Sequence, residues 1–388
     1  MVRRILYIQY TNPACYPSLV HSSHILARRG WKVRFMGIYS FGSSRRMRLE
    51  EEENITVKLL PYCPEGWLQK FHYLRFCVWT VAHLLSWRPQ WVYVSDPLSC
   101  PLALFVSCIP GIKVIYHEHD SPSVGINTEV SLSGFMKVVF WARRRAGRWA
   151  QACIFPNEQR LKIFAQQIGE SKTTLFCVWN CPSKEDVSPS KKPHPPEGFK
   201  LYYHGSLSQC YFPSRLLDAL AMLSSKVTLK IVGYETVGTQ GYTSDLQDRA
   251  RQLGIIERIE IMKPPTSRHE LLQLCCECDV GLVLVPRTSQ DINHTHLRGA
   301  SNKAFEYLAC GLATLVSDLP GWREMYVEAG YSLACNPEDV QSIAGALRWF
   351  FEHPLKVRQM GEKGRQRILH EWNYEKQFSP ILELLNRT

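Results

Sequence analysis

Short apolar runs alternate along this chain with longer segments in which apolar positions recur every three or four residues. The runs at 5–9, 32–37, 91–94, 113–116, 153–156 and 174–179 have strand length. Between them, 18–29, 67–87 and 135–150 carry helical periodicity, with Gly30 closing the first and Arg88-Pro89 the second. After residue 198 the alternation restarts. Strands are expected at 200–203, 228–232, 259–262, 280–285 and 313–317, and helices at 213–223, 268–276 and 302–310. Gly205-Ser206 reads as a tight turn, and the chain beyond Ser317 as mainly helical. Strands alternating with helices predict parallel sheets covered on both faces.

Residues 182–198 interrupt the pattern with five prolines, several Ser and Lys residues and almost nothing to bury, the signature of a linker. At ~150 residues per domain, 388 residues suggest two. The expected organisation is an N-terminal Rossmann-like domain at 1–183, a linker at 184–197, a C-terminal Rossmann-like domain at 198–370 and a C-terminal helix at 371–388.

Hydrophobic residues make up 45% and charged residues 21%, which argues against disorder. The most apolar stretches, 76–87 and 102–110, are interrupted by His or Pro and fall short of the ~18 apolar residues that span a membrane. Residues 1–8 read as a first buried strand, not a signal peptide. The fourteen scattered cysteines then read as reduced thiols of a cytoplasmic protein. Cys275-Cys276-Glu277-Cys278 invites a zinc site, but no second Cys or His pair stands at ligand spacing, and no metal or cofactor is expected. A net charge of +11 favours phosphorylated ligands, an anionic membrane face or nucleic acid. Nucleic acid is set aside, because the basic residues form no dense tract and no nucleic-acid module is legible.

In parallel α/β sheets ligands gather at the carboxyl ends of strands, so chemistry is sought in the loops after Gln9, Tyr116, Tyr203, Val232 and Val285. Ser301-Asn302-Lys303-Ala304-Phe305-Glu306 opens a helix after a polar loop. Its N-terminal N–H groups and dipole suit a diphosphate, Lys303 adds a full charge, and Glu306 can accept from a ribose diol. An ordinary capped helix, its Glu stabilising its own N-terminus, explains the same residues about equally well. Tyr116-His117-Glu118-His119-Asp120-Ser121-Pro122 sets ionisable residues at another strand end, which is costly and often functional.

The segment from Asn302 to Gly311, with Leu312-Ala313-Thr314-Leu315-Val316-Ser317-Asp318-Leu319-Pro320-Gly321 after it, resembles the donor-binding region of GT-B glycosyltransferases, particularly the retaining family 4. There the pattern reads approximately N-K-x-F-E-Y-x-A-x-G-x-P-V. His204-Gly205-Ser206-Leu207, Ile231-Val232-Gly233, Asn336-Pro337-Glu338-Asp339, Met360-Gly361 and Trp372-Asn373 are similar to that family too. The likeness covers nearly all of 200–378; over 1–180 only the architecture agrees. It implies two Rossmann-like domains facing a cleft and metal-independent sugar transfer with retention, a UDP-sugar being the preferred donor. Glu306 would bond the ribose, Asn302 and Lys303 would lie near the diphosphate, and Gly205 and Ser206 would allow close backbone approach. Arg287 and Arg215 are lesser phosphate candidates. His119, with His117 as runner-up, would face the transferred sugar, and Asp120 would orient it or position the acceptor. The C-terminal helix would cross back to the first domain.

Two departures stand out. Family members commonly carry a glutamate seven residues before the partner of Glu306, and this chain has Arg298 there; a variant group with the N-K-x-F-E-Y form does without it. Gly311-Leu312-Ala313 lacks the proline usual after the glycine. An epimerase or hydrolase on the same fold, and a non-catalytic nucleotide-binding scaffold, are the rival readings. The acceptor is a glycan or a lipid-linked saccharide. The aromatic, basic stretches 67–87 and 135–149 read foremost as sheet-covering helices, with peripheral contact to the inner membrane face as the other reading.

Overall fold

The computed structural model describes residues 2–41, 47–49, 52–122, 133–189, 198–265 and 267–387. The chain divides into two compact units. The first joins Met1–Trp179 with Asp291–Ala300 and Gln377–Thr388; the second joins Asn180–Gln290 with Ser301–Lys376.

The first unit holds strands β1 (Arg4–Ile8), β2 (Lys32–Ile38), β3 (Ile55–Leu60), β4 (Trp91–Ser95), β5 (Lys113–His117), β6 (Ala152–Phe155) and β7 (Thr174–Cys177). They form one sheet in the order β3-β2-β1-β4-β5-β6-β7, with every neighbouring pair parallel. The central strands are buried on both faces, which is why they read as apolar runs without alternation. One face builds a core from Leu6, Ile8, Val92, Val94, Val114 and Tyr116 with helices Trp67–Trp87, Cys100–Ser107, Gly134–Trp149 and Glu158–Ile168. The register of β4 on β5 sets Ser95 opposite His117, so Asp96 and Glu118 leave the sheet side by side.

The second unit holds β8 (Phe199–Ser206), β9 (Val227–Tyr234), β10 (Ile259–Met262), β11 (Val280–Val283), β12 (Ala313–Ser317) and β13 (Ser332–Cys335), in the order β10-β9-β8-β11-β12-β13 and again all parallel. Two α/β units with parallel sheets are the architecture expected.

Several local expectations need correction. Gly205 and Ser206 are not a turn: they continue β8 and pair with Gly233 and Tyr234, because β9 extends alongside in register. The chain beyond Ser317 is mainly helical, as expected, with one unexpected addition, the four-residue strand β13. Its brevity hid it. Strand β3 was missed because only Leu60 in it is buried, as befits an edge strand. Of the expected linker, Lys184–Asp186 forms a 3-10 turn closed by a Ser183 capping box, while residues 190–197 lie outside the described residues.

Candidate functional site

In the second unit the helix Asn302–Ala309 begins after the loop that follows β11. Its inward face is apolar, and Glu306 is the acid among these buried positions, 4% exposed. A buried carboxylate survives only with partners. Glu306 has two: Oε2 accepts from His204 Nε2 at 2.6 Å, and Oε1 accepts from Arg268 Nη1 at 2.6 Å. Burial alone would raise its pKa; the Arg268 charge and the His204 bond outweigh it and hold the carboxyl well below its ordinary range. Arg268 in turn reaches Asp186 at 3.3 Å. With Nε2 of His204 bonded to Glu306, its Nδ1 is buried with no partner among the described residues. Asn302 Oδ1, on the first residue of the helix, is likewise buried without one.

Lys303 is half-buried, its ammonium 4.7 Å from the Tyr211 ring centroid and 5.2 Å from that of Tyr203. Burial lowers its pKa to about 8, against the opposing pull of Glu306. Gly205 makes its room: a Cβ there would sit 2.8 Å from Lys303 Cε, and φ of +124° suits glycine alone. Glu306, Lys303, Asn302 and Gly205 are thus brought together, with Ser206 next along β8. Arg287 and Arg215 are both exposed, the first in the loop after β11 and the second opening the helix Arg215–Ala221.

In the first unit the polar cluster lies at the carboxyl ends of β4 and β5. His117 is fully buried, its Nδ1 2.6 Å from the Tyr93 hydroxyl and its ring 4.0 Å from that of His119. His119 is 6% exposed and paired through Nδ1 with Ser18 Oγ at 3.2 Å. Burial drops its pKa to about 3, so the ring is neutral at physiological pH. Nε2 of each histidine is buried with no partner among the described residues. The backbone here is held by two residues absent from the sequence expectation. Asp96, with φ of +64°, takes the His119 N–H on Oδ1 at 3.0 Å and the Gln9 amide on Oδ2 at 3.2 Å. Arg160 is buried and donates to the carbonyls of His119, Asn293 and His296, each at 3.1 Å. Asn293 then clamps Ser121 through both ends of its amide. Asp120 itself is exposed. Position 298 belongs to this pinned segment: the Arg298 carbonyl accepts from Asn157 Nδ2 at 2.5 Å.

Among the described residues no group of His, Cys, Asp or Glu is placed to hold a metal ion. Cys275 and Cys278 are buried, and Cys278 Sγ donates to the Leu274 carbonyl at 3.7 Å.

Two family matches decide what this arrangement is. Residues 184–367 match the family described as Glycosyl transferases group 1, and residues 18–178 match a Glycosyl transferase 4-like domain. The chain is a glycosyltransferase of group 1 type. The fold of this glycosyltransferase is similar to that of sucrose-phosphate synthase from Thermosynechococcus elongatus, with a TM-score of 0.74 and 15% identity over 99% of this chain and 98% of that one. It is also similar to Anabaena Alr3699/HepE in complex with UDP and glucose, with a TM-score of 0.71 and 17% identity over 100% of both chains. A third likeness is the E. coli protein bound with UDP-2-fluoro glucose, with a TM-score of 0.67 and 14% identity over 99% of each. No curated protein sequence matches the enzyme.

The sequence named most residues of the enzyme's second-unit cluster and missed others. His204 lies in the stretch His204-Gly205-Ser206-Leu207, where the glycine carries the family signal and the histidine none. Arg268 and Asp186 gave no signal, since their partners stand 38 and 82 residues away along the chain.

Proposed function

We propose that the enzyme transfers a hexosyl group from a UDP-sugar to a saccharide or lipid-linked acceptor, without a metal ion and with retention of configuration. The observation that carries the reading is the convergence of Lys303, Asn302, Gly205 and the paired Glu306 where β8 ends and the helix Asn302–Ala309 begins. The ammonium and the helix N-terminus meet the diphosphate, and their charge grows in value as the leaving group becomes more negative. Each Glu306 oxygen already accepts one hydrogen bond and keeps a second lone pair for the ribose diol. His204 Nδ1 and Asn302 Oδ1 add two buried polar atoms with hydrogen-bonding capacity to spare.

In the transfer the bond from the anomeric carbon to the diphosphate oxygen breaks and one to the acceptor hydroxyl oxygen forms. The hydroxyl proton passes to the departing diphosphate. Neutral His119 offers Nε2 to a hydroxyl of the sugar, with Asp120 positioning the acceptor and Arg287 reaching the outer phosphate. UDP is favoured because two of the similar structures hold UDP with glucose or a UDP-sugar analogue. Retention follows from the family resemblance, with Arg298 standing where a glutamate is usual.

Calorimetry of the purified enzyme against UDP, GDP, ADP and CDP, in chelator, tests the reading. UDP should bind selectively, and Glu306→Gln should weaken it by about 1–3 kcal/mol. His119→Ala should leave UDP affinity intact while cutting turnover by about a hundredfold or more. Unchanged UDP affinity in Glu306→Gln, or full turnover in His119→Ala, would remove that residue from its role.

A further inference from the structure

A surface helix normally turns a polar face to water. The helix Trp67–Trp87 does not. Tyr73, Phe76, Thr80 and Leu84 bury one side of it. On the other, Trp67, Leu68, Phe71, Leu74, Val78 and Leu85 are exposed by between 56% and 68%. At 3.6 residues per turn, Trp67, Phe71, Leu74, Val78 and Leu85 fall within about 60° of arc, a stripe about 27 Å long. Lys70 and Arg75 are exposed, one on each flank of it. Packing, the favoured reading of this stretch from sequence, therefore accounts for only one of its two apolar faces.

The helix Gly134–Trp149 repeats the arrangement. Val138, Trp141 and Trp149 are exposed, with Arg145 and Arg148 on the same side and the Arg145 guanidinium over the Trp141 ring. The two helices pack on the same face of the sheet and meet where the rings of Tyr73 and Phe135 stand 5.2 Å apart, edge to face. Neither helix, nor Cys100–Ser107 beside them, contains an Asp or Glu. Phe105 of that shorter helix is exposed as well.

We propose that this face docks on an anionic lipid bilayer, the apolar stripe and the tryptophans entering the boundary between headgroups and acyl chains while the flanking Lys and Arg meet lipid phosphates. Charge selects this occupant. A second copy of the chain would set three helices that bear lysine and arginine and no carboxylate against themselves, where like charges repel; the acid is better supplied by the partner. Tryptophan, apolar in its body and polar at its N–H, suits a membrane–water boundary. No helix among the described residues is long and apolar enough to cross a membrane, and the stripe needs none, because it runs along its helix and meets a surface lengthwise. The proposal stands apart from the donor reading, and nucleotide binding is scored separately from it.

The test spins the full-length protein with extruded phosphatidylcholine vesicles, with and without phosphatidylglycerol, at rising salt. Binding is expected to be about tenfold or more tighter to the anionic vesicles and to weaken as salt rises. The triple variant Phe71→Ser, Leu74→Ser, Val78→Ser and the double variant Lys70→Glu, Arg75→Glu should each lower vesicle affinity by about tenfold or more. All five positions are exposed, so thermal unfolding and nucleotide binding should stay as in the parent. Equal pelleting with both vesicle types, none with either, or a triple variant that binds like the parent overturns the proposal. So does light scattering that finds a dimer which the triple variant dissolves, since the face would then join two copies.

Discussion

Lys303 and Gly205 are one arrangement: a side chain at 205 would meet the lysine's Cε, and the backbone there occupies a conformation that other residues rarely adopt. Gly205→Ala should cost about 1–3 kcal/mol of stability from backbone strain, read by urea unfolding, and weaken nucleotide binding by moving the ammonium. The lysine also sets a pH dependence. Its pKa in the free enzyme is about 8, so below that pH it is charged and attracts a diphosphate, and above it the charge is lost. UDP affinity should therefore fall from about pH 7 to about pH 9, with proton uptake on binding at the upper end, measured by calorimetry in buffers of different ionisation enthalpy. Residues of this kind were legible because they share a local motif. Asp96, Arg160 and Arg268 were not, because each acts on groups brought near only by folding, and a lone Asp or Arg carries no local pattern to mark it.

Helix Gly134–Trp149 is fastened to the end of β5 by a fully buried pair: Arg143 Nε and Nη2 donate to the two Glu118 oxygens at 2.5 and 2.8 Å, and the Tyr116 hydroxyl joins at 2.5 Å. Arg143→Met alone strands a carboxylate in the core and should cost about 3–5 kcal/mol in urea unfolding. Pairing it with Glu118→Leu should restore much of that loss, because the uncompensated charge is gone. Packing between helices is as exacting in the second unit. A Cβ on Gly361 would lie 2.1 Å from the Gly311 carbonyl oxygen, so the helix Pro354–His370 approaches backbone to backbone just past the end of Asn302–Ala309. Gly361→Ala should destabilise by about 1–3 kcal/mol in thermal unfolding, since backbone cannot step aside as a side-chain tip can. Met360-Gly361 was visible in the sequence as a family-like pair; its reason, the closeness of two backbones, was not.

At the scale of the molecule, the alternation of strand and helix was enough to read two parallel α/β units, because strands buried on both faces leave short unbroken apolar runs. The partition of the chain between them was less legible. The first unit takes residues from three separate stretches; only the family resemblance pointed to the last, Gln377–Thr388, and no composition shift marks Asp291–Ala300 as its own. Within that last stretch Phe378, Ile381, Leu382 and Leu385 are buried, Arg3 Nη1 donates to Asn386 Oδ1, and the Trp179 N–H donates to the Gln377 side chain. At about 1.5–3 kcal/mol for each buried side chain, removing it rivals the whole stability of a domain. A chain stopped before Gln377 should lose the cooperative unfolding of its first unit and be cut there by trace protease, with the full-length chain resistant. The same geometry orders events during synthesis. A ribosome makes β1 to β7 early, yet Gln377–Thr388, which completes their unit, emerges only after the strands of the second unit are already out. The domain begun first is finished last, and for most of translation its apolar sheet depends on chaperones or on luck in avoiding a neighbour's.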